Sequence, residues 1–203
     1  ISATRHQVER NYHRSLPDKL VRQLIFSLFP NPNLLRILLF PLLVYQKLGI
    51  SKLLQATGLI KAISPRLAAM ESILPEITLR SFQNNLPDII PANGEKRYRV
   101  GVILGCVQRL FFSPVNAATV RVLTANGCEV VIPKSQGCCA ALPEHQGQTE
   151  QAKILARQMI DSFADTNVDF VIINAAGCGH TLKEYGHILA DDPEYAEKAK
   201  IFA

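Results

Sequence analysis

The second half of the sequence alternates short apolar runs with longer amphipathic segments, and this alternation limits the fold more than any other feature. The runs rich in β-branched residues are "RYRVGVILG" (97–105), "CEVVIP" (128–133) and "VDFVIINAA" (168–176). Residues 114–127 and 144–166 lie between them and carry apolar residues at helical spacing. Strands alternating with helices in this way build βαβ units around a parallel sheet. We therefore predict an α/β fold, a Rossmann-like parallel sheet with flanking helices, for residues 96–203.

The first half of the sequence is basic and rich in leucine. No acidic residue occurs between Asp18 and Glu71, and the formal net charge of +5 falls entirely within residues 1–95. Apolar residues at helical spacing, with Asp and Asn-Pro at helix starts, predict an all-α arm before the sheet. Residues 86–98 are rich in Pro, Asn and Gly, which is typical of a linker. We predict two domains, a helical region with its linker at 1–95 and a cysteine-rich α/β domain at 96–203.

The leucine-rich text does not predict a transmembrane helix. Its longest apolar run, "ILLFPLLVY", has nine residues and contains Pro41, about half of the roughly 18 residues needed to span a bilayer. Two interpretations remain for this basic, apolar region. Its helices pack on each other or on a partner protein, or they lie on anionic lipid as a peripheral membrane contact.

The polar N-terminus "ISATRHQVERNYHR" lacks the apolar core of a signal peptide. We therefore expect a cytoplasmic protein, placed on the inner face of the plasma membrane under the second interpretation. Nucleic-acid binding is not expected, because the cations are dispersed among leucines without interleaved aromatic residues.

Four of the five cysteines follow predicted strands. Cys106 follows the first, Cys138 and Cys139 the second, and Cys178 the third. The carboxyl ends of parallel strands meet at one edge of a sheet, so these thiols are expected to converge there. Cys128 instead opens the second strand at the opposite edge, where we expect a buried apolar residue. An odd number of cysteines in a chain of this size argues against a secreted disulfide framework and favours a reducing compartment.

Thiols gathered at one edge indicate a metal centre. Glycines lie beside each cysteine site and allow the backbone to approach a bound group. A helix N-terminus lowers the pKa of a thiol, and the thiolate is the form that binds metal. Four soft thiolates suit an iron–sulfur cluster or zinc. The candidate metal and cofactor ligands are Cys106, Cys138, Cys139 and Cys178, with His180 as a substitute ligand.

The motifs resemble a known family. Cys106 is followed by 31 residues, the pair Cys138-Cys139, 38 residues and then Cys178. This order, with the wording "GCVQRLFFSPVNAATVRVL", "GCCAAL" and "NAAGCGHTLKEYGHIL", is similar to the cysteine-rich CCG domain of the heterodisulfide reductase type. Within that group it resembles the iron–sulfur subunit of glycolate oxidase (glycolate dehydrogenase), strongly over 99–203 and more loosely over 1–95. That subunit has further cluster-binding regions on both sides, so the resemblance implies a fragment.

The resemblance implies an electron-transfer subunit of a glycolate-oxidising, 2-hydroxy acid dehydrogenase complex. It would hold an iron–sulfur cluster, [4Fe–4S] with zinc as the alternative, and pass electrons from flavin-containing subunits towards quinone. Substrate oxidation would occur on a partner, so no catalytic residue is assigned and the chain is a component of an oxidoreductase. The main alternative is a non-redox docking module, zinc-binding or metal-free, for a catalytic subunit. A thiol–disulfide enzyme using the adjacent cysteines is a third hypothesis.

Two positions depart from the family pattern. The usual Cys-Cys-Gly is Cys138-Cys139-Ala140, and a positive φ at that position would cost Ala about 1 kcal/mol. The usual final Cys-x-x-Cys is Cys178-Gly-His-Thr181, so a fifth cysteine ligand is missing. We therefore expect an ordinary four-ligand cluster rather than a five-cysteine, non-cubane one.

Overall fold

The first part of the chain is helical in the computed structural model, which describes residues 2–82 and 86–203. The helices are α1 (Ser2–Asn11), α2 (Leu16–Leu28), α3 (Pro32–Lys47), α4 (Ile50–Thr57), α5 (Leu59–Ile63), α6 (Pro65–Ser72) and a 3₁₀ helix (Leu79–Phe82). Side chains cap three of the starts. Ser15 accepts from the Asp18 N–H, Asn31 accepts from the amides that begin α3, and Ser64 accepts from the Leu67 N–H. The predicted helical arm is therefore confirmed.

Helix α3 attaches the arm to the rest of the molecule. Its Leu35, Leu39 and Leu43 are buried in one cluster with Ile77 and with Leu110 of the second half. Glu71 in α6 accepts hydrogen bonds from Tyr45 in α3 and from Ser51 and Gln55 in α4. The outer helices bury much less, and α2, α4, α5 and α6 contain no fully buried residue.

The second part of the chain alternates strands and helices. Its strands are β1 (Ile89–Ile90), β2 (Tyr98–Ile103), β3 (Cys128–Val131) and β4 (Phe170–Ile173). Its helices are α7 (Gln108–Phe111), α8 (Ser113–Ala125), α9 (Ala141–His145), α10 (Thr149–Phe163), α11 (Ala176–Lys183), α12 (Tyr185–Ile188) and α13 (Ala196–Phe202).

The sheet has the strand order β1-β3-β2-β4. The central strand β2 pairs in parallel with both neighbours, and its Val100 lies opposite Val130 on one side and Phe170 on the other. This confirms the α/β class and the three parallel strands. The sheet is nevertheless mixed, because β1 pairs antiparallel with β3. The sequence predicts a linker at β1, because two apolar residues between prolines show no strand periodicity.

Helices cover both faces of the sheet. On one face, Val100, Val102 and Val130 pack with Val120 of α8. On the other, Ile103 packs with a larger group from α10, α12 and α13, which includes Met159, Phe163, Tyr185 and Leu189. Because β2 is buried on both faces, it has the continuous apolar sequence typical of a central parallel strand.

One predicted helix is divided in the structure. The segment predicted as one helix over 144–166 is α9 and α10, separated by a turn in which Gly147 has φ of 76°. A side chain at Gly147 would meet the backbone of Arg5, because a Cβ there would lie 2.8 Å from the Arg5 carbonyl oxygen. The helix after β4 begins at Ala176, so Cys178 lies in its first turn.

Candidate metal centre

Four thiols meet at the carboxyl edge of the sheet. Cys106 follows β2, Cys138 and Cys139 lie between β3 and α9, and Cys178 lies in α11 after β4. They contact one another in series, each thiol hydrogen-bonded to the next from Cys106 through Cys138 and Cys139 to Cys178. The adjacent pair is 2% and 1% exposed, whereas the outer two are partly exposed. The structure thus brings together all four predicted ligand residues.

Cys128 lies at the other edge of the sheet. It begins β3, opposite Tyr98 at the start of β2. It is buried with Val100 and Val130 and does not belong to the thiol series. It is the small apolar core residue that its position predicts.

The thiol series alternates between groups that favour the thiolate and groups that favour the thiol. Hydrogen bonds donated by Cys106 and Cys139, with the Ala140 N–H and the charge of Arg109, lower the pKa of Cys138 to about 4. A hydrogen bond from Cys139 lowers the pKa of Cys178. Hydrogen bonding to these neighbours, with burial, raises the pKa of Cys106 and of Cys139. Cys138 and Cys178 are therefore the two positions prepared to bind a cation.

A buried amide joins the loop of Cys106 to the loop of the adjacent cysteines. The Gln136 side chain accepts from the Leu104 N–H at 2.8 Å and donates to the Val102 carbonyl at 3.1 Å. Arg109 donates to the Gly105 carbonyl at 2.9 Å and to the Gln136 carbonyl at 3.2 Å. These bonds hold the ends of β2 and β3 in a fixed relation.

A second polar group joins the loop of Cys106 to the loop of Cys178. Asn116 in α8 donates to the Leu104 carbonyl at 3.0 Å and accepts from Asn174, which follows β4, at 3.1 Å. Tyr185 donates to the Cys139 carbonyl at 3.1 Å from a fully buried position. These supporting residues were not predicted, because nothing in the local sequence pattern separates them from ordinary polar residues of loops and helices.

Replacing Gln136 by leucine is expected to lower the free energy of unfolding by about 2–4 kcal/mol, because a buried N–H and a buried carbonyl each lose their partner. Urea denaturation followed by circular dichroism measures this change. Gln158, exposed on α10, provides the matched control, and Gln158→Leu is expected to stay within about 0.5 kcal/mol of the unchanged chain. Equal effects of the two variants would show that Gln136 does not join the loops.

The backbone at Ala140, where the family pattern has glycine, adopts a positive φ. Ala140 has φ of 66° and is fully buried, so it carries the strain from which glycine would be free. Ala140→Gly is expected to change the unfolding free energy by less than about 1 kcal/mol, because relief of strain offsets the lost methyl contacts. Ala140→Val is expected to cost more than about 2 kcal/mol, since a β-branched residue fits neither the φ nor the space. Thermal melts of both variants check this order, and a Gly variant less stable than the Val variant would contradict it.

The four thiols are suitable ligands for a metal that binds sulfur, although in this structure they contact one another. Among residues 2–82 and 86–203, no three His, Cys, Asp or Glu side chains surround a common point suited to a metal ion. Binding therefore requires the four thiols to separate around the group they hold. His180 stacks on His145 with ring centroids 6.4 Å apart, and its ligand role stays a prediction.

Comparison with known proteins agrees with this arrangement. Residues 17–74 match the linker region of the glycolate oxidase iron–sulfur subunit, and residues 100–183 match the cysteine-rich domain. The chain is 36% identical over 203 residues to the "Probable glycolate oxidase iron-sulfur subunit" of Bacillus subtilis (strain 168), covering 100% of this chain and 46% of the relative. By these matches the chain is similar to the linker region and the cysteine-rich domain of the glycolate oxidase iron–sulfur subunit.

Other known proteins are similar to this chain over different lengths. The glycolate oxidase iron–sulfur subunit of Escherichia coli (strain K12) is 29% identical over 196 residues, 95% of this chain and 42% of the relative. Lactate utilization protein A of Geobacillus thermodenitrificans (strain NG80-2) is 38% identical over 105 residues, 52% of this chain and 43% of the relative. The chain spans about half the length of the curated relatives it matches. No solved structure gives a significant match.

Length and apolar composition decide whether a helix of the arm could cross a bilayer. Within the described part of the chain, no single helix is long and apolar enough to cross a membrane. The pair α2 and α3 meets the requirement by length and composition together, but it is bent by 109°.

Proposed function

We propose that this chain is the part of an electron-transfer subunit that holds an iron–sulfur cluster on Cys106, Cys138, Cys139 and Cys178. The observation that carries the proposal is the convergence of these four thiols at one edge of the sheet. The names of the family's members support iron–sulfur chemistry. Four sulfur ligands are the number that a [4Fe–4S] cluster takes, so we propose this type.

The chain's own residues perform three tasks at such a centre. Cys138 and Cys178 would supply thiolate ligands most readily, because their pKa values are already lowered. Gln136 and Asn116 hold the three loops at fixed separations. The adjacent cysteines lie in a buried core, which keeps water from most of the centre. A bound cluster supplies one-electron transfer.

We further propose that the electrons come from flavin-containing subunits of a 2-hydroxy acid dehydrogenase complex, with glycolate as the substrate, and pass towards quinone. The relatives named for glycolate oxidase and lactate utilization support a small 2-hydroxy acid. Substrate oxidation belongs to the partner subunits in this proposal.

Metal analysis tests the cluster directly. Anaerobic reconstitution is expected to give broad absorption near about 400 nm and about four irons per chain. Tight zinc binding without iron or visible absorption would contradict the redox proposal. It would instead support the alternative of a zinc-binding docking module, which is favoured by the departures at Ala140 and Thr181 and by thiols that contact one another. A metal-free docking module would bind its catalytic partner equally well with all four cysteines replaced by serine.

We propose a cytoplasmic location with peripheral contact on the inner face of the plasma membrane through α2–α6. Large apolar side chains there are strongly exposed, including Leu16 at 76%, Ile63 at 72% and Ile73 at 78%. Basic residues alternate with them and no acidic residue intervenes between Asp18 and Glu71. A surface of this composition suits anionic lipid.

Vesicle sedimentation tests the membrane contact. The chain is expected to sediment with vesicles containing phosphatidylglycerol, and to be released by high salt, because screening weakens attraction to the surface. Replacing Lys52, Lys61 and Arg66 by glutamate should reduce binding at least about tenfold. Lys134→Glu, on the α/β domain, is the control and should bind as the unchanged chain does. Equal binding to neutral phosphatidylcholine vesicles would contradict the electrostatic part of the proposal.

A further inference from the structure

Arg109 lies beside the thiol series, and within residues 2–82 and 86–203 its hydrogen-bond acceptors are all neutral. Its guanidinium donates to the carbonyls of Gly105 and Gln136 and to the Gln136 side chain. Burial lowers the pKa of Arg109, while the charges of Cys106 and Cys138 raise it. The guanidinium therefore stays in place through neutral contacts, and its charge acts on the nearby sulfurs.

A second guanidinium arrives from the helical arm. Helix α3 packs Leu35 and Leu39 against Leu110 of α7, which brings Arg36 close enough to Arg109 for the two positive charges to repel. The Nε of Arg36 is buried and has no hydrogen-bond acceptor among the residues that the structure describes. In the ranges 2–82 and 86–203, neither arginine forms a salt bridge with a carboxylate.

Two guanidinium groups held close together repel each other, and a buried N–H that makes no hydrogen bond adds a further cost. Such an arrangement is unfavourable unless negative charge lies nearby. The negative charge that this edge of the sheet offers beside Arg109 is the thiolate of Cys138, which attracts the Arg109 charge. We infer that Arg36 and Arg109 form a cationic pair that stabilises negative charge at the thiol series. Helix α3 of the arm thereby helps to set the reduction potential of a centre held by these thiols.

The direction of the effect follows from charge. One electron passed to a centre at these sulfurs by a reduced flavin partner or a one-electron reductant makes the centre more negative by one unit. Adjacent positive charge stabilises that reduced state and raises the potential. This part of the inference rests on the proposed function, whereas the positive potential at the thiols does not.

Arg36→Gln is the informative variant, because it removes a charge without removing a hydrogen bond seen in the described structure. In the reconstituted protein, a dye-mediated redox titration is expected to show a ratio of reduced to oxidised centre about tenfold lower at a fixed potential. For one electron this corresponds to a reduction potential lowered by about 59 mV. Arg36→Lys should restore the potential. Arg97→Gln, at the opposite edge beside the start of β2, removes the same charge and should leave the potential unchanged.

The metal-free protein gives an independent readout. The dianionic reagent 5,5′-dithiobis(2-nitrobenzoate) and the neutral reagent 4,4′-dithiodipyridine both report the fastest-reacting thiol. Arg36→Gln should lower the rate with the anionic reagent several-fold relative to the neutral one, and high salt should remove the difference, because a cationic site concentrates anions at low ionic strength. Arg97→Gln should leave the ratio of the two rates unchanged.

The two measurements separate the possible failures. If both the potential and the rate ratio are the same in Arg36→Gln as in Arg97→Gln, the cationic pair is wrong and the proposed cluster stands. If the unchanged chain binds no iron but the rate ratio still falls in Arg36→Gln, the proposed function fails and the cationic pair stands. A changed rate ratio with an unchanged potential would overturn the claim that α3 influences reduction.

Discussion

Cys138→Ala is expected to retain less than about a tenth of the iron that the unchanged chain holds after anaerobic reconstitution. Loss of a residue that only supports a metal ligand already weakens metal binding, and loss of the ligand itself weakens binding at least as much. Cys138 lies in the middle of the thiol series and accepts hydrogen bonds from Cys106 and Cys139. Removing its sulfur therefore also removes the thiol whose pKa is lowered to about 4, which would supply a thiolate ligand most readily. Iron and sulfide analysis, with the visible spectrum, measures the loss.

Cys128→Ala is the matched control for that experiment. The substitution is the same, and the residue is also buried, but it lies at the opposite edge of the sheet. We expect Cys128→Ala to keep the full iron content. Circular dichroism of both variants shows that each remains folded. A Cys138→Ala protein with unchanged iron would remove Cys138 from the ligand set, and equal loss in both variants would indicate damage to the fold rather than to a site.

Phe163→Ala is expected to lower the free energy of unfolding by about 3–5 kcal/mol, since it leaves a cavity in the larger core. Phe163 is 5% exposed and its ring lies 5.9 Å from that of Phe202. The ring also lies directly over Gly101 of the central strand, where a Cβ would be 2.5 Å from Cε1 of Phe163. The missing side chain at Gly101 thus makes the space that the ring fills. Urea denaturation followed by fluorescence or circular dichroism measures the change.

Phe170→Ala provides the comparison for this prediction. Phe170 lies on β4, is 57% exposed and touches the exposed ring of Tyr98. Its replacement is expected to cost less than about 1 kcal/mol, because little area is lost from the interior and an exposed aromatic pair contributes modestly. If both phenylalanines cost the same, Phe163 would not be the central residue of this core.

Local pattern explains why much of the fold was predictable. The β-branched runs that contain β2, β3 and β4 and the apolar spacing of α8 and α10 are visible within short windows of sequence. Strand β1 and the turn at Gly147 were missed, because a two-residue strand has no period and a helix break depends on what packs against it. At Gly147 that neighbour is the backbone of Arg5, which is distant in sequence.

The chain's sequence alone determined that four cysteines stand at the carboxyl ends of parallel strands, because the strands, the length of their helical connections and the right-handed crossover follow from local pattern and chain connectivity. Only the tertiary structure decided which thiols have lowered pKa values, how Gln136 and Asn116 hold their loops, and that Arg36 of the arm lies close to Arg109. Those properties depend on burial and on distances between residues far apart along the chain. Such distances exist only once the helical arm has packed against the sheet domain.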